Sequence, residues 1–405
     1  MKTIDELKSL RGSEYFRGFE GIDGPTPVWL CQNQIDKIPC NYTNPNTKWL
    51  IPAAGHGTHA IILYWGYMEG LSNIFIDNEE RSRHILGNML YLNEINPWLY
   101  RQLRRQGFIN VIEGNYLLYK TRMKFDCVLG NPPFTKDVGG GNSVSLWDKF
   151  VEKSFELCKE GGYVSLIHPN GWRNIKGNFK KTQKLILGKK IEYLGLHSTE
   201  DGKKTFGVTT PYDFYVIKNV DDNDNFTNVK DYENVESVQN LNNLEFIPNS
   251  KFEIIKSLIA NDNDNKVEVI EDSSYHHQRE YVSAIQNDVF QYPCVYSIYK
   301  DGTFSLKYSS RNDKGHFGKS KLILGNGANP TSFIDDDGNY GMTQFTFGIV
   351  DTPENLVKIK QVLESKEFSE ITQSTKYVAT AGNPLVYPKI LRTFKKDFWK
   401  EFINE

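Results

Sequence analysis

The chain has 405 residues, 39% hydrophobic and 24% charged, enough for two cores and ordinary for a soluble globular protein. No apolar run approaches the ~18 residues of a membrane span, and Met1-Lys2-Thr3-Ile4-Asp5 has no secretory h-region. The five cysteines (Cys31, Cys40, Cys127, Cys158, Cys294) form neither a CxxC pair nor an even framework, which disfavours a zinc site and suits free thiols in a reducing cytoplasm. The net charge of -2 conceals a tilt: residues 1–220 hold 28 Lys+Arg against 22 Asp+Glu, and residues 221–405 hold 20 against 28. Overall charge does not announce a nucleic-acid binder, so any such surface must be local.

A short helical stretch opens the chain. Gly24-Pro25-Thr26-Pro27 before Val28-Trp29-Leu30 then predicts a helix with Thr26 as cap and Pro27 at its first position. Lys48-Trp49-Leu50-Ile51 reads as a short buried strand, followed by the turn Pro52-Ala53-Ala54-Gly55-His56-Gly57-Thr58 and an apolar helix over 59–67. A glycine turn between strand and helix lets backbone N–H groups approach a ligand closely. Asn73-Ile74-Phe75-Ile76-Asp77 predicts a second strand, with Asp77 at its end twenty residues beyond Gly57; the other reading of Asp77 is a cap for the helix expected over 79–92. A third strand over 108–112 ends in Glu113-Gly114-Asn115-Tyr116.

The apolar run Phe125-Asp126-Cys127-Val128-Leu129-Gly130 stops at Asn131-Pro132-Pro133-Phe134. Two prolines cannot donate to a sheet ladder, and each pushes the preceding residue into extended geometry. The Asn131 amide and the neighbouring carbonyls are thereby aimed out of the strand end, where open α/β sheets bind ligands. An amide, a carbonyl and an aromatic face side by side suffice to hold a flat, amino-bearing ring. Gly139-Gly140-Gly141-Asn142-Ser143 predicts a flexible loop ordered by substrate. Trp147, Phe150, Val151, Ser154, Phe155 and Cys158 recur at helical spacing. Residues 163–168 form a further strand before the loop Pro169-Asn170-Gly171-Trp172, and strands at 192–196 and 212–218 complete the sheet. Alternating β and α elements with glycines at strand ends imply an α/β fold, an open, mostly parallel Rossmann-like sheet with helices on both faces. The polar tract over 221–225 predicts a boundary between a domain of residues 1–220 and an α+β domain of residues 226–405.

Asn-Pro-Pro-Phe after an apolar strand resembles the catalytic motif of S-adenosylmethionine-dependent amino-methyltransferases, above all the DNA adenine-N6 group. Taken with the order of the other segments over roughly residues 22–220, the chain resembles the gamma arrangement of those enzymes and the methylase part of Eco57I-type enzymes. The resemblance implies a class I methyltransferase fold and S-adenosylmethionine as cofactor. It implies a cofactor site drawn from Thr26, Pro27, Pro52, Ala53, Ala54, Gly55, Gly57, Asp77, Asn115 and Asn131, with Asp77 on the ribose and Asn115 on the adenine amino group. Asn131, Pro132, Pro133 and Phe134 would be catalytic, and Phe134 would sandwich the target base against Phe206 from the segment Lys203-Lys204-Thr205-Phe206-Gly207. The family usually has an acid where Ile51 stands and a cysteine or similar small residue at Ala54; loss of the acid removes a partner for the cofactor's amino group.

A base inside a duplex is out of reach of such a pocket, so the adenine must be flipped out of double-stranded DNA. DNA contacts are expected from Lys203 and Lys204 and from a stretch of local charge +4 between Lys300 and Lys321, chiefly Lys307, Arg311, Lys314, His316, Lys319 and Lys321. A second basic stretch, Lys159 to Lys190, carries eight Lys and Arg against Glu160. The chemistry needs no metal. No stretch remains for a nuclease, so a separate restriction endonuclease, or none, is expected in a bacterial or phage-infected cytoplasm. Rival readings are an RNA adenine-N6 methyltransferase, a protein glutamine-N5 methyltransferase (whose motif usually ends in Tyr), and a non-catalytic DNA-binding specificity subunit on the same fold.

Overall fold

The computed structural model describes residues 1–9, 26–174, 178–222, 224, 226–325, 331–375, 377 and 386–403. It divides into two compact units, Met1–Leu244 and Glu245–Glu405. The division falls some twenty residues beyond the 221–225 tract, because two strands after that tract still belong to the first unit's sheet.

The first unit begins with α1 (Ile4–Ser9) and α2 (Val28–Asp36), then β1 (Trp49–Ile51) and α3 (Thr58–Gly70). Next come α4 (Asn78–His84), a π-helical turn over Ile85–Met89, β2 (Leu90–Glu94), α5 (Pro97–Arg105) and β3 (Asn110–Glu113). After β4 (Phe125–Gly130) a hairpin of β5 (Thr135–Gly139) and β6 (Asn142–Ser145) leads into α6 (Trp147–Leu157) and β7 (Cys158–Pro169). The unit closes with α7 (Lys180–Leu187), β8 (Lys189–His197), α8 (Thr199–Phe206), β9 (Tyr212–Asp221), β10 (Phe226–Lys230) and β11 (Glu236–Asn240). Among the described residues the main sheet has nine strands in the order β11-β10-β8-β9-β7-β4-β1-β2-β3. β1 pairs parallel with β2 and β4, and β4 parallel with β7, whereas β9 runs antiparallel between β7 and β8. β10 adds in parallel to β8 and β11 folds back on it, which is why the tract over 221–225 is a turn within this unit and not a linker. Trp49, Ile51, Leu63, Leu90, Leu92, Cys127, Leu129, Ile167 and Phe214 meet in its core, all 1% exposed or less except Cys127 at 5%.

Two expected elements are replaced. Residues 73–77 form no strand: Ile74 and Ile76 are 50% and 80% exposed, so the apolar alternation there faces solvent. The buried Arg81 side chain donates to the carbonyls of Met68, Phe75 and Ile76, and its hydrogen bonds hold that segment as a turn. The second strand lies instead at Leu90–Glu94, overlapping the end of the expected 79–92 helix, which gives way after His84 through the π turn. Asn96 caps α5 with Pro97 in its first turn, so the chain must be extended just before it. The glycine loop over 139–143 is also ordered differently, as the tip of the β5–β6 hairpin.

The second unit is α+β. Its helices are α9 (Phe252–Leu258), α10 (Pro353–Leu363), α11 (Lys366–Ser374) and α12 (Val386–Leu391). Its strands are β12 (Glu268–Ile270), β13 (Val282–Ser283), β14 (Tyr292–Ile298), β15 (Phe304–Ser309), β16 (Lys321–Gly325), β17 (Ser332–Asp335), β18 (Gly341–Met342) and β19 (Thr346–Val350). They form two four-stranded sheets, β12-β19-β16-β17 and β13-β15-β14-β18, paired antiparallel except where β18 meets β14.

Candidate active site

The carboxyl ends of β1, β2, β4 and β7 lie along one edge of the first unit's sheet and assemble the site. At the end of β1 the chain turns sharply: Ala53 (φ 48°), Gly55 (φ 56°) and Gly57 (φ 84°) all adopt left-handed backbone. The left-handed backbone at position 57 calls for a glycine, and a Cβ there would also press on Leu103 Cδ2 at 2.8 Å. At Gly55 the nearest neighbour of such a Cβ is the Ala53 carbonyl at 4.0 Å, so the loop is open on that side. Pro52 and Ala54 complete the turn, the Ala54 N–H donating to the Asn93 carbonyl and the Gly57 N–H to the Ala54 carbonyl, both at 2.9 Å.

At the end of β2 stands Glu94, 4% exposed. Its carboxylate accepts from the Gly55 and Asn96 backbone N–H groups, each at 2.8 Å. Burial raises its pKa against the lowering effect of those N–H groups. Asp77, the acid singled out from the sequence, sits elsewhere: exposed, it caps α4 by accepting from the Glu80 N–H at 2.7 Å. Glu94 occupies the position expected of Asp77, and the run Leu90-Tyr91-Leu92 ahead of the Asn96-Pro97 helix start is the signal that could have found it. Asn115 follows β3 and is exposed, its side-chain oxygen accepting from the Leu117 N–H at 2.9 Å.

At the end of β4, Gly130 packs against the β1 turn so closely that a Cβ would lie 3.0 Å from the Pro52 carbonyl oxygen. Asn131 follows. Its Nδ2 donates to Thr26 Oγ1 at 3.1 Å, while its Oδ1, fully buried, meets no hydrogen-bond partner among the described residues. Thr26 thereby orients the amide and leaves the oxygen available. Pro27, with φ -56° and extended ψ, is the cap residue of α2 and not its first helical residue. Gly24 and Pro25 of the same segment lie outside the described residues. Phe134 and Phe206, expected to flank the target base, are brought together, with ring centroids 6.1 Å apart and planes at 83° in an edge-to-face contact.

Behind the site, β7 runs into the short helix Asn170–Arg173. Arg173 and Asp213, both 0% exposed, pair through Arg173 Nε and Asp213 Oδ2 at 2.8 Å, and Trp172 Nε1 donates to the same oxygen at 2.9 Å. His168 stacks on Trp147 at 4.3 Å and 14°, and the Leu146 N–H donates to the Phe134 carbonyl at 3.1 Å. Neither the pair nor the stack was foreseen. Arg173→Met, which would strand the Asp213 carboxylate, is expected to lower stability by ~3–5 kcal/mol in a urea titration.

The two basic stretches keep less free charge than their sequences promise. Lys203 and Lys204 are exposed on α8. In the second unit His316 is 1% exposed, its ring bonded to Asp272 and to the Met342 N–H. Lys321 is 0% exposed and paired with Asp335 at 2.5 Å. Neither can meet a phosphate, because both serve the interior. Arg311 pairs with Asp313 at 2.5 Å and Lys319 with Glu268 at 3.2 Å, while Lys307 lies over the Tyr296 ring at 4.8 Å and Lys314 is exposed. Of the Lys159–Lys190 stretch, Lys159, Lys181 and Lys189 are paired with Asp126, Glu152 and Asp221, Arg173 is buried, and Lys176 lies outside the described residues. Among the described residues no cluster of His, Cys, Asp or Glu is placed to hold a metal ion, and no helix is long and apolar enough to cross a membrane.

The strand order β3-β2-β1-β4-β7-β9-β8, with β9 reversed, and a glycine loop after β1 define a class I S-adenosylmethionine-dependent methyltransferase fold. Residues 73–195, somewhat under a third of the chain, match the family model of the Eco57I restriction-modification methylase. Three solved structures are similar. A nuclease-deletion mutant of the Type ISP restriction-modification enzyme LlaGI, in complex with a DNA substrate mimic, matches with a TM-score of 0.52 and 10% identity over 90% of this chain and 53% of that one. The Type IIL restriction-modification enzyme MmeI, in complex with DNA, matches at 0.45 and 10% identity over 89% of this chain and 65% of that one. The M protein of the Type I restriction enzyme EcoKI matches at 0.42 and 15% identity over 60% of each chain. The chain thus spans under two-thirds of each of these relatives. No curated protein sequence matches it significantly.

Proposed function

We propose that the protein is a DNA adenine-N6 methyltransferase of a restriction-modification system, in the gamma arrangement, acting at a specific site on an adenine flipped out of double-stranded DNA. The observation that carries this reading is the Asn131 amide, tied through Nδ2 to Thr26, with a buried Oδ1 at the tip of β4 that has no partner among the described residues.

The exocyclic nitrogen of adenine is a poor nucleophile because its lone pair is delocalised into the ring. Asn131 Oδ1 and the Pro132 carbonyl accept its two hydrogens and draw the nitrogen toward tetrahedral geometry, which localises the lone pair. The Asn131 amide is held by Thr26 before the reaction, so its dipole meets the developing positive charge with little reorganisation, and in-line placement contributes much of the rest. Phe134 stacks on the ring; Phe206 closes the pocket after a change from its present edge-on contact. The open side of Gly55, the Glu94 carboxylate and Asn115 suit S-adenosylmethionine, with Glu94 toward the ribose. When bound, that cofactor supplies an electrophilic methyl group on a sulfonium.

Purified protein incubated with radiolabelled S-adenosylmethionine is expected to label adenine-containing duplex DNA, yielding N6-methyladenine on digestion. Label transferred only to RNA or to glutamine would overturn the assignment of substrate. The buried Ile51, 1% exposed where the family usually has an acid, favours a second reading as a non-catalytic specificity subunit. Absence of heat on titration with S-adenosylmethionine would select it. Within the methyltransferase reading, Glu94→Ala is expected to weaken cofactor binding by roughly tenfold or more, since a hydrogen bond to a charged group contributes ~1.5–3 kcal/mol. Asp77→Ala should leave binding unchanged and cost only ~1 kcal/mol of stability as a lost cap. Calorimetric titration and thermal melting of both variants separate the two acids.

A further inference from the structure

The β5–β6 hairpin is unused by the chemistry above, and its construction is odd for a piece of a folded domain. It forms a two-stranded sheet of its own, joined, among the described residues, to none of the three larger sheets. Every residue of β5 is exposed. Val138 and Val144 are 54% and 47% exposed, and Val144 stands opposite Lys136 across the ladder. An isolated hairpin is marginal in water, and β-branched apolar side chains left in solvent contribute little to holding it. Its tip, Gly139-Gly140-Gly141, has φ of 88°, 65° and 77°, and a Cβ on Gly139 or Gly141 would meet nothing within 4 Å. Packing within the chain therefore does not demand those glycines; the tight turn does, and it leaves the tip slim.

The hairpin is rooted at the target-base pocket. β5 starts at the residue after Phe134, and the chain leaving β6 returns to it through the Leu146 N–H bond to the Phe134 carbonyl at 3.1 Å. Its charge is balanced, Lys136 against Asp137, and the Asp137 carboxylate is engaged by the Gly139 N–H at 2.7 Å. A phosphate clamp would be basic. A slim, neutral arm with apolar side chains beside the pocket suits a different partner, the base stack itself.

We propose that this hairpin enters the duplex next to the target adenine, and that Val138 and Val144 fill the stacking space that the adenine leaves when it turns into the pocket. The inference rests on the proposed function, whose base-flipping step it explains: unstacking is costly, and an apolar wedge offsets that cost.

The test uses the full chain and the site found by sequencing modified adenines in DNA from expressing cells. Oligonucleotide duplexes with that site carry the target adenine opposite either thymine or an abasic position, where it is already loosely stacked. For Val138→Ser with Val144→Ser, kcat/KM on the paired duplex is expected to fall about tenfold or more, while on the abasic duplex it stays near wild type. The flipping signal of 2-aminopurine at the target position should fall in parallel. Equal losses on both duplexes, or no loss on the paired one, would overturn the wedge and leave the methyltransferase reading standing. A wild-type protein inactive on every DNA would remove both. An unchanged melting temperature, expected for two exposed positions, excludes misfolding as the cause of a loss.

Discussion

Asn131→Ala is expected to reduce methyl transfer to DNA by ~10²–10³-fold or more while leaving cofactor binding and the fold nearly intact. The size follows from the role proposed for the residue. Its oxygen is buried and without a partner among the described residues, so on that proposal it is an available acceptor for the amino hydrogen of a base that enters the pocket. Alanine leaves the target nitrogen with the Pro132 carbonyl alone, and the lone pair stays in the ring. Asn131→Asp is a sharper variant: the carboxylate still accepts, but it loses the Nδ2–H that donates to Thr26 at 3.1 Å and adds a buried charge. Its activity should lie between wild type and alanine. Thr26→Val removes the contact that orients the amide; a net hydrogen bond of ~1 kcal/mol predicts a several-fold loss in kcat with little change in KM. Single-turnover methylation, with calorimetric binding of S-adenosylmethionine in parallel, reads all three. Wild-type turnover by Asn131→Ala would end the adenine-gripping account of this site.

The β4 terminus was legible because its signal is covalent: two prolines end a strand wherever they occur. The Gly55–Gly57 turn was legible for a similar reason, since left-handed backbone beside close packing leaves few residue types. Asp77 was misread because spacing from the glycine loop carries no information on burial. Ile74 and Ile76 have strand composition, yet they face solvent, while the true strand at Leu90–Glu94 was hidden within a stretch that reads as a continuing helix. Two positions of the basic stretch from Lys300 to Lys321, His316 and Lys321, were misread for a different reason. Charge counted along the chain ignores partners, and Lys321 with Asp335 and His316 with Asp272 are contacts across the fold, fourteen and forty-four positions apart. The domain boundary moved because a polar turn and a polar linker have the same composition; only the pairing of β10 with β8 distinguishes them.

Mild acid is expected to unfold the first unit, with its loss of stability beginning below about pH 6.5. Four of its histidines, His56, His59, His168 and His197, have pKa values lowered to about 4, first by burial in each case. His59 bonds Gln34 at 2.9 Å, His168 stacks on Trp147, and His197 stacks on Tyr212 at 4.3 Å and 6°. A histidine whose folded pKa lies below its unfolded value contributes stability that is complete above the unfolded pKa near 6.5. That contribution is lost as the pH falls toward the folded value near 4. Each group that is neutral when folded and charged when unfolded changes the stability by ~1.4 kcal/mol per pH unit, so four together approach ~5 kcal/mol per unit near pH 5.5. Glu94 and Asp213 work in the opposite sense: burial raises both pKa values, so ionising them disfavours the fold at neutral pH and acid relieves that cost. The histidines outnumber them and titrate at higher pH in the unfolded chain, so the net slope is destabilising. Against a typical domain stability of 5–15 kcal/mol, the unfolding midpoint should fall near pH 5. Circular dichroism between pH 7 and 4, with proton uptake on unfolding measured by calorimetry in buffers of different ionisation enthalpy, should show about three protons taken up near pH 5.5. An uptake near zero there would mean that the four imidazoles are not held neutral by the fold.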